Sequence, residues 1–155
     1  MKRRSVILLL VTCIAGLTLC FAADNAMLGT WKLNEAKSKI SPGAAKNNTV
    51  VYEAAGDNIK CTIEGVDGQG NPTHIEWAGK FDGKDYPLTG DPGGDSRAYK
   101  QINDRTVEGI TKRNGKVSST SRIVIAADGK SRTVTTDLTG VDGKKSHNVW
   151  FFEKQ

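Results

Sequence analysis

The sequence predicts an all-β fold: an antiparallel up-and-down meander of eight to ten strands, closed into a barrel and preceded by an N-terminal signal peptide. Three observations predict it. Asx-Gly dipeptides recur along the chain, residues between them alternate with a period of two, and the first residues share neither property.

The N-terminus comes first. Lys2, Arg3 and Arg4 form a positive head, and Ser5 to Phe21 is an uncharged, largely apolar run that closes on Ala22 and Ala23. That order is the pattern of a cleavable secretory signal. Cleavage after Ala22 places Cys20 and Ala22 at the two small-residue positions. The reading is therefore 1–22 signal peptide and 23–155 a single β-barrel domain. An uncleaved anchor is the alternative, but the run is at the short edge of the roughly 17–25 residues that span a bilayer. Leu17-Thr18-Leu19-Cys20 is a poor lipobox, because Leu19 stands where a small residue is normally needed, so a lipoprotein anchored through Cys20 is disfavoured. The expected location is periplasmic or extracellular, with no stable membrane span after cleavage.

Removing the signal changes the charge argument. The full chain has 22 basic and 17 acidic side chains, a net +5. Losing Lys2, Arg3 and Arg4 leaves 19 against 17, a net +2. So slight an excess predicts no nucleic-acid partner. Cys61 remains alone, so no internal disulfide is available and the core must carry the fold. Alternating with Ile59 and Ile63, Cys61 reads as a buried, inert thiol.

Asp67-Gly68, Asp82-Gly83, Asn114-Gly115, Asp128-Gly129 and Asp142-Gly143 mark turns. Such pairs accept the positive φ of type I′ hairpins. Between them Ile59, Cys61 and Ile63 share one face, as do Ile75, Trp77, Gly79 and Phe81, and Val134, Thr136 and Leu138. One face is buried and the other wet, as in antiparallel sheet. The predicted strands are 29–33, 48–54, 58–66, 73–81, 85–89, 97–102, 105–113, 116–126, 131–139 and 146–154. Asn34 could cap a short helical stretch reaching Ile40, ended by Pro42 and Gly43. Gly65-Val66-Asp67-Gly68 before His74 and Trp77 has an echo in Gly140-Val141-Asp142-Gly143 before His147 and Trp150. Closing the meander removes its two exposed edges, which favours a barrel over an open sandwich.

Leu28-Gly29-Thr30-Trp31-Lys32-Leu33 opens the first strand, and Trp150-Phe151-Phe152-Glu153-Lys154 ends the last. Gly-x-Trp at the start of a meander barrel resembles the calycins, the superfamily of lipocalins and fatty-acid-binding proteins. The wider run, with Asn34, Ser38-Lys39 and Ser41-Pro42-Gly43, resembles small exported bacterial lipocalin-like proteins of uncharacterised function. The resemblance implies that Trp31 packs at the closed end against a basic side chain of the last strand, here Lys154, as a structural barrel closure. It also implies a lumen that can hold a ligand. The chain departs from fatty-acid-binding proteins, since residues 34–47 are too few for their helical lid.

Signals for chemistry are sparse. His74-Ile75-Glu76 could place an acid and a base on one strand face, but the pair reads better as surface polarity. No HExxH, CxxC or His-x-His spacing is present, so no metal ligands are assigned. Asp67-Gly68-Gln69-Gly70-Asn71 lacks the distal glutamate of a calcium loop and reads as a turn. Ser118, Ser119 and Ser121 sit in no nucleophile motif and would make one side of the lumen polar if they face inward. Arg97, Arg105, Arg113, Arg122 and Arg132 are spread over strands and turns, which reads as a solvated face, with a ring at the barrel mouth as the alternative. No catalytic residue and no cofactor is assigned. The expectation is a non-enzymatic barrel holding a small, partly apolar ligand, with Ile59, Ile63, Ile75, Trp77 and Phe81 as candidate liners. The alternative is a solid barrel serving as a structural or protein-interaction module of the cell envelope, and an enzyme built on His74, Glu76 and an arginine is third.

Overall fold

The structure is a computed structural model, and it describes residues 25–140 and 142–155. The predicted signal peptide lies outside the described residues. Ten strands follow in order: β1 (Gly29–Leu33), β2 (Lys46–Ala55), β3 (Asn58–Val66), β4 (Pro72–Gly79), β5 (Asp82–Thr89), β6 (Ser96–Asn103), β7 (Thr106–Arg113), β8 (Lys116–Ile125), β9 (Ser131–Thr139) and β10 (Lys145–Lys154). Each is antiparallel to its sequence neighbour, and β1 meets β10, so the sheet is a closed barrel. The closing register pairs Trp31 with Lys154 and Leu33 with Phe152.

The expected type I′ geometry is found at Asn114-Gly115, while Asp67 and Asp128 do not take positive φ and their turns are of other types. Asn114 and Gly115 both hold positive φ, 50° and 73°, and turn β7 tightly into β8. Asp82-Gly83 behaves differently from the sequence expectation. It lies inside β5, where the register shifts between Asp82 and Asp85. Asp82 accepts a hydrogen bond from the Lys84 amide at 3.0 Å, and Gly83 takes φ 80°. The dipeptide makes a bulge rather than a hairpin tip. Strand β5 therefore starts earlier than predicted, and Phe81 falls in the turn after β4.

β4 and β5 share only the pairs Glu76 with Thr89 and Trp77 with Leu88, which makes theirs the thinnest seam of the barrel. Side chains hold what the ladder does not. Trp77 stacks on Phe81 with ring centroids 6.1 Å apart, and Tyr86 and Tyr99 meet it edge-on at 5.9 and 5.0 Å. Gly79 makes room for this block, since a Cβ there would lie 2.4 Å from the Tyr86 ring.

The short β1 is extended by residues 34–41, which run on beside β10. Asn34 accepts from the Lys37 amide at 3.2 Å and caps one 3-10 turn, Glu35–Lys37. Lys39 and Val149 then exchange backbone hydrogen bonds of 2.7 and 2.8 Å. The predicted helical stretch is thus a single turn, because strand-like pairing to β10 takes over the rest. Residues 25–28 cover the end of the barrel near the start of β1. Met27 is buried there and accepts the Trp31 indole N–H at 2.9 Å.

Candidate functional site

Ten strands enclose a wider lumen than eight, which side chains can just fill. The lumen keeps a cavity of about 200 Å³. Its outer end is rimmed by Ala44, Ala45, Asp67, Asp91 and Pro92, from the loops that follow β1, β3 and β5. Its apolar wall comes from inward positions such as Val50, Ile63, Ile75, Ile123 and Trp150. Its polar wall includes Thr111, Ser119, Ser121, Thr136 and Asn148. Asn148 is 2% exposed and accepts from the Ser41 amide at 2.7 Å, which pins the loop carrying Ala44 and Ala45.

Two arginines also line this cavity. Arg97, on β6, donates from Nε to Thr111 Oγ1 at 2.9 Å, from Nη1 to the Tyr99 hydroxyl at 3.4 Å and from Nη2 to Asp91 Oδ2 at 3.0 Å. Burial pulls its pKa down, but Tyr99 and Asp91 outweigh it and hold the guanidinium above its ordinary value. Arg132, on β9, is 2% exposed. Its guanidinium carbon lies 4.7 Å from the Trp31 ring centroid, 4.9 Å from Phe152 and 5.2 Å from Tyr52. Its Nε and Nη1 have no hydrogen-bond partner among the described residues.

Of the residues predicted as liners, Ile63 and Ile75 border the cavity. Ile59, Trp77 and Phe81 belong to the packed core nearer the covered end, where Trp77 donates its indole N–H to the Arg97 carbonyl at 2.9 Å. Lys154 stands 5.1 Å from the Trp31 ring, in register with it. Arg132 shares that ring, a neighbour the sequence reading missed. The signal was present: Arg132 has the parity of Val134, Thr136 and Leu138, and Arg97 that of Tyr99.

Cys61 is fully buried, and burial raises its thiol pKa, so it is held as an unreactive thiol. Tyr52 is raised well above the usual phenol range by burial and stays neutral. His74 lies outside the barrel, 2.5 Å from Glu64 and 3.7 Å from Glu76, and Glu76 also meets Lys60 at 2.8 Å. That cluster is exposed, so His74 and Glu76 form part of a surface ion network, in line with the surface reading of the pair. Arg122 pairs on the outer face with Glu108. Asp67 spends its carboxylate on its own turn, accepting from Gln69 and Asn71, and these bonds lower its pKa. Among the described residues, no group of three or more His, Cys, Asp or Glu is placed to hold a metal ion. No helix among them is long and apolar enough to cross a membrane.

Comparison with protein-family models gives no match, and comparison with curated proteins gives none either. The closed ten-stranded barrel is compatible with a lipocalin-like fold.

Proposed function

We propose that the protein is an exported, non-enzymatic barrel of the calycin type that binds a small, partly apolar ligand in its lumen. The observation that carries this reading is the cavity itself: apolar walls with a few converging polar groups are the usual make-up of a small-molecule site. At about 200 Å³ it falls below the common ~300–1,000 Å³ range, so the ligand is compact. The Gly29-Thr30-Trp31 opening, with Lys154 beside the ring, supports the calycin relationship. Export rests on residues 1–22 acting as a cleaved signal.

The test is native mass spectrometry of the protein recovered from the expressing cell, followed by titration with compact hydrophobes. A bound small molecule, together with an intact mass lacking residues 1–22, supports both parts. A mass retaining those residues removes the export reading. No bound mass and no titration response leaves the solid-barrel alternative. Exposed Ile102, Ile110, Val117 and Val124 on the outer face of β6–β8 favour that alternative as a protein-interaction module.

A further inference from the structure

We propose that the outer face of β7 is a self-association surface whose occupant is a second copy of this chain, turned so that the two β7 strands lie face to face and antiparallel about Ile110. The inference concerns the outside of the barrel and is independent of the lumen and of any ligand there.

The apolar content of the outside is concentrated. Among the described residues the exposed large hydrophobic side chains are Ile102, Ile110, Val117 and Val124. All four come from β6, β7 and β8, which are adjacent in the barrel. On β7 the inward positions are Val107, which is buried, Gly109, which lies against Tyr99 and Ser121, and Thr111, which lines the cavity. Glu108, Ile110 and Lys112 therefore point outward. Ile110 stands between two small neighbours, Ala98 on β6 and Thr120 on β8. A groove of about 500 Å³ lies over this place, bordered by Ala98, Lys100, Glu108, Ile110, Thr120 and Arg122. An isoleucine beside a shelf of small side chains is both a projection and a seat for the same projection on another copy.

Charge complementarity selects the second copy and its orientation. The outward face of β7 reads acid, apolar, base: Glu108, Ile110, Lys112. A two-fold axis crossing the strand at Ile110 makes the contact isologous, so that what one residue meets on the other copy meets it in return. Glu108 then faces Lys112 of the second copy, Lys112 faces its Glu108, and Ile110 packs on Ile110. The flanking strands agree. Lys100 and Arg122 are the sheet neighbours of Glu108, and Ser96 and Val117 are those of Lys112. The same axis sets Lys100 opposite Ser96 and Arg122 opposite Val117, so across β6–β8 no like charges meet. An axis along the strand would instead set Lys100 against Arg122, cation on cation, which is the unfavoured arrangement. Within one chain Glu108 pairs with Arg122, and Lys112 with Asp85 at 2.6 Å, in exposed or half-exposed positions. Such surface pairs add little to stability, so sharing them across a contact costs little.

The shape of the face sets the strength. Two convex barrel walls meet over about three strands each, and Asp85 on β5 and Asp137 on β9 fall outside as the wall curves away. That places the contact at the low end of specific interfaces, below about 1,200 Å². The expected dimer is therefore a reversible one, with Kd on the order of 10 µM.

The experiment is sedimentation velocity of the purified protein from about 1 µM to about 200 µM. The unaltered protein is expected to pass from monomer to dimer over that range. Ile110→Lys should raise Kd at least about tenfold, and Glu108→Lys and Lys112→Glu should each weaken self-association by about as much, since each sets like charges face to face. Mixed with one another, those two charge variants should associate at least as well as the unaltered protein does with itself, because every facing pair is then opposite in sign. A protein that stays monomeric at the highest concentration overturns the proposal and leaves this face to a different protein. Association undiminished by Ile110→Lys places the contact elsewhere and overturns it as well. Charge variants that fail to associate when mixed overturn the antiparallel register. The concentration series on the unaltered protein decides self-association even if a variant does not fold.

Discussion

Arg97 and Arg132 project into the same barrel but are compensated in opposite ways. Around Arg97 the chain supplies its own acceptors: a carboxylate from the loop after β5, a threonine hydroxyl from β7 and a tyrosine two residues along β6. Around Arg132 it supplies aromatic rings from β1, β2 and β10, and two of its nitrogens find no acceptor among the described residues. The first arrangement ties a loop to a strand, and every group in it has a partner. The second stiffens the closing seam through packing and keeps unused hydrogen-bonding capacity inside the lumen. One arginine finds its acceptors within the fold, and the other is held by rings.

The comparison breaks most visibly at Arg97. Its side chain is 13% exposed and that of Asp91 18%, so Arg97→Met would strand a mostly buried carboxylate. Removing one partner of such a pair is expected to cost about 3 kcal/mol in urea unfolding. Changing Asp91→Leu in the same chain should recover much of that loss, because the stranded charge goes too. If the single variant loses no stability, Arg97 is not held by its acceptors and the contrast with Arg132 collapses.

At Arg132 the sign reverses. No carboxylate is stranded by Arg132→Met, a long apolar side chain replaces a desolvated cation, and packing against Trp31 and Phe152 is largely kept. A gain of roughly 1 kcal/mol is expected in the same assay. A loss of that size or more would mean that the rings alone compensate the charge.

The contrast between these two arginines also shows what the sequence could reveal. The meander was legible because hairpin turns and period-two faces are local: Asn114-Gly115 and the run from Val134 to Leu138 need no knowledge of distant residues. Barrel closure was legible from one motif at each end, Trp31 and Lys154. The bulge at Asp82-Gly83 was not, since the same dipeptide chemistry serves a hairpin tip or a bulge, and the choice depends on what lies opposite on β6. The cavity was half legible. Ile63 and Ile75 follow from alternation, but which inward side chains meet a void and which meet each other depends on the whole girth of the barrel. Thus Trp77 and Phe81 fill space that the alternation alone could have left open. The arginines were misjudged because charge outweighed parity in the reading, although parity placed both inside.

The outside of the barrel offers the smallest and cleanest control for this contrast. The two hairpins that echo one another each set a histidine against an acid across the ladder: His74 pairs with Glu64 at 2.5 Å and His147 with Asp137 at 2.7 Å. These pairs stand in water, where the acid gains little that solvent does not already give. The pKa of His74 is nevertheless raised, chiefly by its hydrogen bond to Glu64 and also by the charges of Glu64 and Glu76. A histidine raised in the folded state adds stability that is fully present below its ordinary value of 6.5 and is lost as pH climbs through the raised value. The unfolding midpoint of the unaltered protein should therefore fall slightly between about pH 6 and pH 8 relative to His74→Gln. The difference should shrink further in about 1 M salt, where the Debye length is near 3 Å. The Arg97 penalty should persist under the same salt, because a buried pair is screened far less. If salt removes both effects alike, Arg97 and Asp91 are solvated in practice, and burial is not what separates the two arginines.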